Sequence, residues 1–207
     1  MKKLDQSFYN RADVVKIAKE MLGKILVSHF DGVLTAGRIV ETEAYEGVTD
    51  RASHAWNGRR TNRTEIMYGA AGTAYVYLCY GIHQLFNVVT NRTDVPHAVL
   101  VRALEPLEGI DQMLLRTGKP RLDHTLTRGP GNVARALGIH TRHTGFDLQG
   151  DTLYLADDGF VLKKTQWLAT PRIGVDYAGE HAAWPYRFIV KDNPYVSGQR
   201  VKIRTVP

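Results

Sequence analysis

The sequence predicts a single mixed α+β domain in which a mainly antiparallel, curved sheet carries a few flanking helices. Three observations lead there. Strand-like runs come in pairs across tight turns, strand and helix patterns do not alternate as βαβ units, and no Pro-, Gly- or Ser-rich linker divides the chain. With 207 residues, 43% of them hydrophobic and 23% charged, the composition is that of an ordinary globular protein of one domain, residues 1–207. Collagen-like, low-complexity and disordered classes are excluded.

The elements follow in order. Between Asn10 and Leu22, the residues Val14, Val15, Ile17, Ala18, Met21 and Leu22 fall at helical spacing, with Asn10 as N-cap and Gly23 as stop. Strands over 24–30 and 33–45 flank Asp31-Gly32, a pair suited to the positive φ angles of a two-residue hairpin. A polar loop from Glu46 to about Glu65 comes next, long enough to suggest function or mobility. A second strand pair, 73–80 and 84–90, is joined by Gly81-Ile82-His83 and places Tyr80 beside the tip. Residues 97–104 read as another strand, after which Glu105-Pro106 starts a helix running through 107–115. The segment 129–138 reads as a short helix entered through Gly129-Pro130-Gly131. Its rival reading, a phosphate-binding turn, lacks the Gly-x-Gly-x-x-Gly spacing and the Gly-Lys-Thr ending. Short strands over 151–156, 159–164 and 187–190 complete the order.

Charge narrows the partner. Lys and Arg number 27 against 21 Asp and Glu, a formal charge of +6. Arg51, Arg59, Arg60 and Arg63 fall with His54 in a stretch free of acids, and Arg116, Lys119, Arg121, Arg128, Arg135 and Arg142 are opposed only by Asp123. Both runs suit phosphates, although a solvated face has the same composition. Cys79 is the only cysteine, which excludes an intramolecular disulfide. No segment is apolar enough to span a bilayer, and polar residues stand where a signal peptide needs an apolar run, so the expected location is cytoplasmic.

Two constellations carry chemistry. Along IVETEAYEG, Glu41, Glu43 and Tyr45 share one strand face. The carboxylates can be a general base with its neighbour, half of a divalent-metal site, or a solvent-facing edge paired with nearby arginines. The second constellation is aromatic: Tyr45, Tyr75, Tyr77 and Tyr80, with His54, Asn87 and Arg102 on neighbouring elements. Tyrosines in strands ordinarily pack. Beside a basic surface they also suit a pocket that sandwiches a purine or pyrimidine. Arg102 interrupts the apolar run VLVRAL and needs a partner that Glu41 or Glu43 can supply.

At VETEAYEG, then Ser53-His54, TAYVYLCYGI and HAVLVRALEPLEG, the chain resembles the alkyladenine DNA glycosylase family, the mammalian-type 3-methyladenine DNA glycosylases. The match is collinear from about Gly37 to Gly109 and weaker across RIGVDYAGE to RFIV. The resemblance implies a mixed single domain with a β-hairpin that enters the minor groove of DNA. Glu43 then matches the water-activating carboxylate, and Tyr80 the residue that replaces the extruded nucleotide. Tyr45, His54 and Tyr77 match the residues that hold the flipped base, and Asn87 the screen against normal guanine. Leu100 matches a pocket wall, Arg102 a basic residue near the attacking water, and Ile173 a segment whose main-chain carbonyl holds that water. Two departures stand out: Ala70-Ala71 where many bacterial relatives have a Pro pair, and Gln84-Leu85 in place of a more aromatic pair.

The expectation is a repair enzyme that releases alkylated or deaminated purines (hypoxanthine, 3-methyladenine, the 7-methylguanine class) from double-stranded DNA. It is expected to act as a monomer without metal or cofactor, with Arg51, Arg59, Arg60 and Arg63 on the DNA backbone. No lysine falls within the matched motif block, so strand-cleaving lyase activity is not expected. Two other classes remain open: a non-catalytic damaged-DNA-binding module, and a metal-dependent hydrolase using Glu41, Glu43 and His54.

Overall fold

The computed structural model describes residues 1–198; residues 199–207 of the expected domain lie outside the described residues. The strands are β1 (Lys2–Lys3), β2 (Ile25–Phe30), β3 (Val33–Tyr45), β4 (Ala74–Cys79), β5 (His83–Thr90), β6 (His97–Glu108), β7 (Leu153–Asp157), β8 (Trp167–Thr170) and β9 (Arg187–Val190). The helices are α1 (Gln6–Tyr9), α2 (Val14–Met21), α3 (Ile110–Thr117) and α4 (Pro130–Leu137). The strands form one open antiparallel sheet in the order β1-β7-β2-β3-β6-β5-β4, with β9 joined to β3 and β8 to β9. The mixed α+β expectation is thus met by a single domain built on one sheet.

Strand alternation gives the sheet two different faces. Ala44, Ala74, Val76, Phe86, Val88, Val99 and Val101 join the main core with Ile17, Ala18 and Met21 of α2, Met113 of α3 and Val133, Ala134 and Leu137 of α4. The residues between them, among them Tyr45, Tyr75, Tyr77, Leu85, Asn87, Ala98, Leu100 and Arg102, line a cavity on the other side. The long central pair β3 and β6 therefore has helices behind it and a cavity in front.

Both hairpins form where the turns predict them. Asp31 and Gly32 adopt φ of 54° and 76° between the paired residues Phe30 and Val33. Three expectations are corrected. The opening helix is divided: α1 precedes α2, and the cap of α2 is Asp13, which accepts from the Lys16 N–H at 2.8 Å, while Asn10 closes α1. Glu105-Pro106 does not start a helix, because β6 runs on to Glu108 and Pro106 pairs with Gly37 beside a bulge, where a missing N–H is tolerated. Helix α3 begins only after Gly109, at φ +72°, where a Cβ would stand 2.3 Å from the Leu34 carbonyl oxygen. Residues 159–164 form no ladder; this segment packs against Gly23 and Arg38, with Phe160 under the Arg38 guanidinium at 4.4 Å. The strands β1 and β8 were not expected. The loop after Glu46 is wound into short 3-10 turns over Gly47–Thr49, Trp56–Gly58 and Glu65–Tyr68, and it buries Asp50, Ala52, Ala55 and Met67.

Candidate active site

One transverse row of the sheet organises the site. Glu43 on β3 pairs with Arg187 on β9 at one side and with Leu100 on β6 at the other; Leu100 pairs with Asn87 on β5, and Asn87 with Tyr75 on β4. Directly paired residues share a face, so the carboxylate, the apolar wall, the amide and the phenol line up across strands that are far apart in sequence.

Glu43 has 0% of its surface exposed. Its Oε2 accepts from the Tyr45 hydroxyl at 2.8 Å and from Arg102 Nη1 at 3.2 Å, and its Oε1 accepts from the Ile173 N–H at 2.8 Å. A carboxylate has about four acceptor positions. Among the described residues, these three contacts leave one position free, on Oε1. Two bulges shape this point: Val40 is the extra residue of β3, and Arg102 the extra residue of β6 between Val101 and Ala103. A bulge re-aims a side chain, and Arg102 reaches both Glu43 and, through Nε at 3.1 Å, Glu41. The partner that the sequence demanded for Arg102 is thus both carboxylates.

Glu41 is fully buried and holds four donors: Arg102 Nε, Arg187 Nε at 2.7 Å, and the Ser197 N–H and hydroxyl at 2.6 and 2.8 Å. A third buried acid, Asp50, is gripped by both terminal nitrogens of Arg172, one of them at 2.9 Å. Glu41, Glu43 and Asp50 are thereby balanced by Arg102, Arg187 and Arg172, which is what makes their burial tolerable. Burial opposes the charge on Arg102, but Glu43 and Glu41 outweigh it and hold the guanidinium above its ordinary range.

Tyr45, Arg102 and Ile173, the three residues that hold Glu43, also line a cavity of about 550 Å³. Tyr45, His54, Tyr77, Tyr80, Asn87, Leu100, Arg102 and Ile173, all singled out from the sequence, line it together. His54 packs edge-on against Tyr77 with ring centroids 4.6 Å apart, and its two nitrogens are both engaged. Arg63 can only donate, so the 3.2 Å contact from its Nη2 makes His54 Nε2 the acceptor and leaves the proton on Nδ1, which faces the Tyr75 hydroxyl at 2.8 Å. Burial, then the charges of Arg63 and Arg59, lower the His54 pKa to about 4. Burial, then Glu43, raise that of Tyr45 well above its ordinary value, so Tyr45 stays a neutral donor to Glu43. Asn87 donates from Nδ2 to the carbonyls of Tyr75 and Leu85 at 3.2 and 3.3 Å, which fixes its amide and leaves Oδ1 for the cavity.

At the cavity mouth stands the β4–β5 hairpin. Tyr80 and Gly81 adopt φ of 51° and 72°, the Ile82 N–H donates to the Cys79 carbonyl at 3.1 Å, and Tyr80 is 88% exposed. A left-handed tyrosine costs about 1–2 kcal/mol relative to glycine. Here that conformation sends an aromatic ring into solvent. Beside the mouth, Arg51, Arg59 and Arg63 line a smaller cavity of about 310 Å³ with no acidic residue among the described residues of its wall. Arg60 is placed differently: it pairs with Glu65 at 2.6 Å and Asp94 at 2.9 Å, so its charge is already matched.

Sequence reading missed Asp50, Arg172, Arg187 and Ser197. Arg187 opens the apolar run RFIV and carries the same signal as Arg102 in VLVRAL, whereas nothing local marks Asp50 or Ser197. Arg172 bridges Asp50 and the Ala44 carbonyl, at 2.9 Å, and lies 4.9 Å over the Tyr45 ring. It thus ties the Ile173 loop to β3. That loop meets Glu43 through the Ile173 N–H. The carboxylates are taken up by arginines and His54 by Tyr75 and Arg63, and the described residues contain no group of three or more His, Cys, Asp or Glu arranged to hold a metal ion. Among them, no helix is long and apolar enough to cross a membrane.

Comparison with known proteins gives a consistent result. Residues 7–194 match the family model of methylpurine-DNA glycosylase (MPG). Relatives named "Putative 3-methyladenine DNA glycosylase" include one from Bacillus cytotoxicus, 46% identical over 92% of this chain and 97% of its own length. Another, from Chlamydia abortus, is 46% identical over 90% of this chain and 97% of its own. A third, from Desulfitobacterium hafniense, is 43% identical over 95% of this chain and 99% of its own. Agreement of this extent shows that the chain belongs to the methylpurine-DNA glycosylase family, and so to the hydrolases of DNA repair.

Proposed function

We propose that the protein turns alkylated or deaminated purines out of duplex DNA and hydrolyses their N-glycosidic bond with a water molecule activated by Glu43. The observation that carries this reading is a buried carboxylate with one open acceptor position, held by Tyr45, Arg102 and Ile173, which themselves line an aromatic cavity beside an exposed wedge. Extrusion costs a few kcal/mol, least for a damaged or mispaired base. Tyr80 fills the vacated stack, since an inserted side chain can hold a base step apart. The purine enters between Tyr45, His54 and Tyr77, with Leu100 as wall. Asn87, its amide fixed, stands against the extra amino group of guanine.

As the glycosidic bond breaks, positive charge develops on the sugar. Glu43 stabilises it and takes the proton of the attacking water held on Oε1. Arg102 and the Ile173 N–H hold the carboxylate in place for that attack. By analogy with glycoside hydrolysis, direct attack by water inverts the sugar carbon. Among the described residues no lysine lines the cavity, which favours a monofunctional enzyme over one that forms a Schiff base. The substrate partner is double-stranded DNA, the protein acts in the cytoplasm as a monomer, and the chemistry uses no cofactor. Hypoxanthine- and 3-methyladenine-containing duplexes test the reading. Wild type releases free base, and Glu43→Gln binds the duplex but releases none; equal release by the variant overturns Glu43 as the base.

A further inference from the structure

The base cavity is one of two large depressions beside the hairpin. On β5, Leu85 lines the base cavity and Gln84 faces the opposite side, as strand alternation requires, while His83 at the tip, with Gly131 and Asn132 of α4, lines both cavities. On its side Gln84 lines the second cavity, of about 580 Å³, against α4 and the Thr141–His143 turn. Three arginines, Arg116, Arg135 and Arg142, converge on this groove, and among the described residues Asp31 is the only acid in its wall. Among the described residues, none of the three makes an ion pair. Arg116 donates to Thr35 Oγ1 and the Ala136 carbonyl, Arg135 to the Arg116 carbonyl, and Arg142 to the His143 ring. The groove is also preset. Gln84 is held by the His140 ring at 2.7 Å and by the Thr141 N–H at 2.5 Å. Gly131 of α4 lies so close to the hairpin that a Cβ there would meet the His83 ring at 3.0 Å.

The wedge therefore stands between two unlike surfaces: an aromatic cavity on one flank and a cationic groove on the other. A wedge inserted into a duplex has one sugar-phosphate backbone on each flank. The base cavity, on the glycosylase reading on which this inference rests, claims the lesion strand. We infer that the groove of Arg116, Arg135 and Arg142 binds the phosphodiester backbone of the strand opposite the lesion. Guanidinium groups suit phosphate because their planar N–H forks match its oxygens. The contact reads no base, so it serves any sequence. It holds the strand that loses its pairing partner when the nucleotide leaves, and so braces the duplex against the hairpin.

The double variant Arg135→Gln/Arg142→Gln tests this, because both side chains are exposed and the core is untouched. The probes are a hypoxanthine-containing duplex and the same lesion strand alone. For the duplex, the slope of log K against log salt becomes shallower by about 1.8, close to one counterion per lost contact. Affinity for the single strand stays as in wild type, and Arg135→Lys/Arg142→Lys restores the duplex slope. Ethylation of phosphates opposite the lesion interferes with binding of wild type but not of the double variant. An unchanged duplex slope, or an equal loss for duplex and single strand, overturns the assignment. If wild type instead releases no base, the glycosylase reading falls, and the duplex slope still decides whether the groove binds phosphate.

Discussion

Arg63 sets the tautomer of His54 and reinforces burial in keeping it uncharged. Its Nη2 donates to His54 Nε2, and its positive charge adds to burial in holding the ring neutral. The sign of the resulting pH dependence follows. A histidine whose folded pKa is about 4, below its ordinary 6.5, contributes its full stability above pH 6.5 and loses it as pH falls toward 4. The loss is at most about 3.5 kcal/mol, at about 1.4 kcal/mol per unit. Arg63→Gln is expected to raise the His54 pKa while leaving it below 6.5, because burial is the larger cause and remains. An NMR titration of the imidazole checks this, and an unchanged midpoint refutes the role given to Arg63. Arg172 acts one step further from the substrate. Removing it in Arg172→Ala leaves the buried Asp50 without its guanidinium and held only by the Glu46 and Ala52 N–H groups beside His181, for an expected loss of about 3–5 kcal/mol in urea denaturation. Arg172→Lys keeps the charge but loses the fork, and displacement of the Ile173 N–H from Glu43 is expected to slow single-turnover base release on the order of 10²-fold. Normal release by the lysine variant shows that the loop holds its place without Arg172.

The hairpin β4–β5 is the element on which the reading of DNA turns. Its tip shows Leu78, Tyr80 and Ile82 to solvent, Ile82 at 72% exposure, so no core contact depends on Tyr80. Tyr80→Ala is therefore expected to leave the melting temperature as in wild type. Loss of one stacking side chain, at about 1–3 kcal/mol, is expected to weaken capture of the flipped base by roughly 5- to 150-fold. Stopped-flow fluorescence of a base analogue beside the lesion reads this, and unchanged capture makes the tyrosine merely structural. At this scale the sequence was most legible where local chemistry decides. Asp31-Gly32 predicts its turn because few residues accept two positive φ angles, and IVETEAYEG predicts a shared face because side-chain period is fixed in a strand. It was least legible where tertiary contacts decide. Pro106 looks like a helix start, yet the long pairing of β3 with β6 carries the strand past it. Gly109 defers the helix because only a hydrogen fits beside the Leu34 carbonyl, a contact that no local pattern encodes.

At the scale of the whole molecule, the site is assembled from distant parts of the chain. Glu41 meets Ser197 across 156 residues, Glu43 meets Ile173 across 130, and Asp50 meets Arg172 across 122. The motif block between Gly37 and Gly109 was readable because its strands lie side by side in order, but the clamp that holds its carboxylates comes from the last quarter of the chain. Contacts of such separation form late and favour slow folding. They also make the C-terminal segment part of the site. The Ser197 N–H and hydroxyl both serve Glu41, and the Ser197 carbonyl accepts from Arg187 Nη2 at 2.6 Å. A chain ending at Pro194, compared with one ending at Gly198, loses these three bonds and a fourth, from Arg102 Nη2 to the Ser197 hydroxyl at 3.3 Å, and leaves Glu41 with the two arginines alone. Each unmade bond to a buried charged group costs about 1–3 kcal/mol, so the shorter chain is expected to be less stable by a few kcal/mol in urea denaturation. Because Glu41 orients Arg102 and Arg102 holds Glu43, base release at saturating duplex is expected to slow as well, with duplex affinity little changed. Equal stability and equal single-turnover rates for the two chains refute the clamp. A loss of stability with an unchanged rate confines it to folding and removes Glu41 from the control of Glu43.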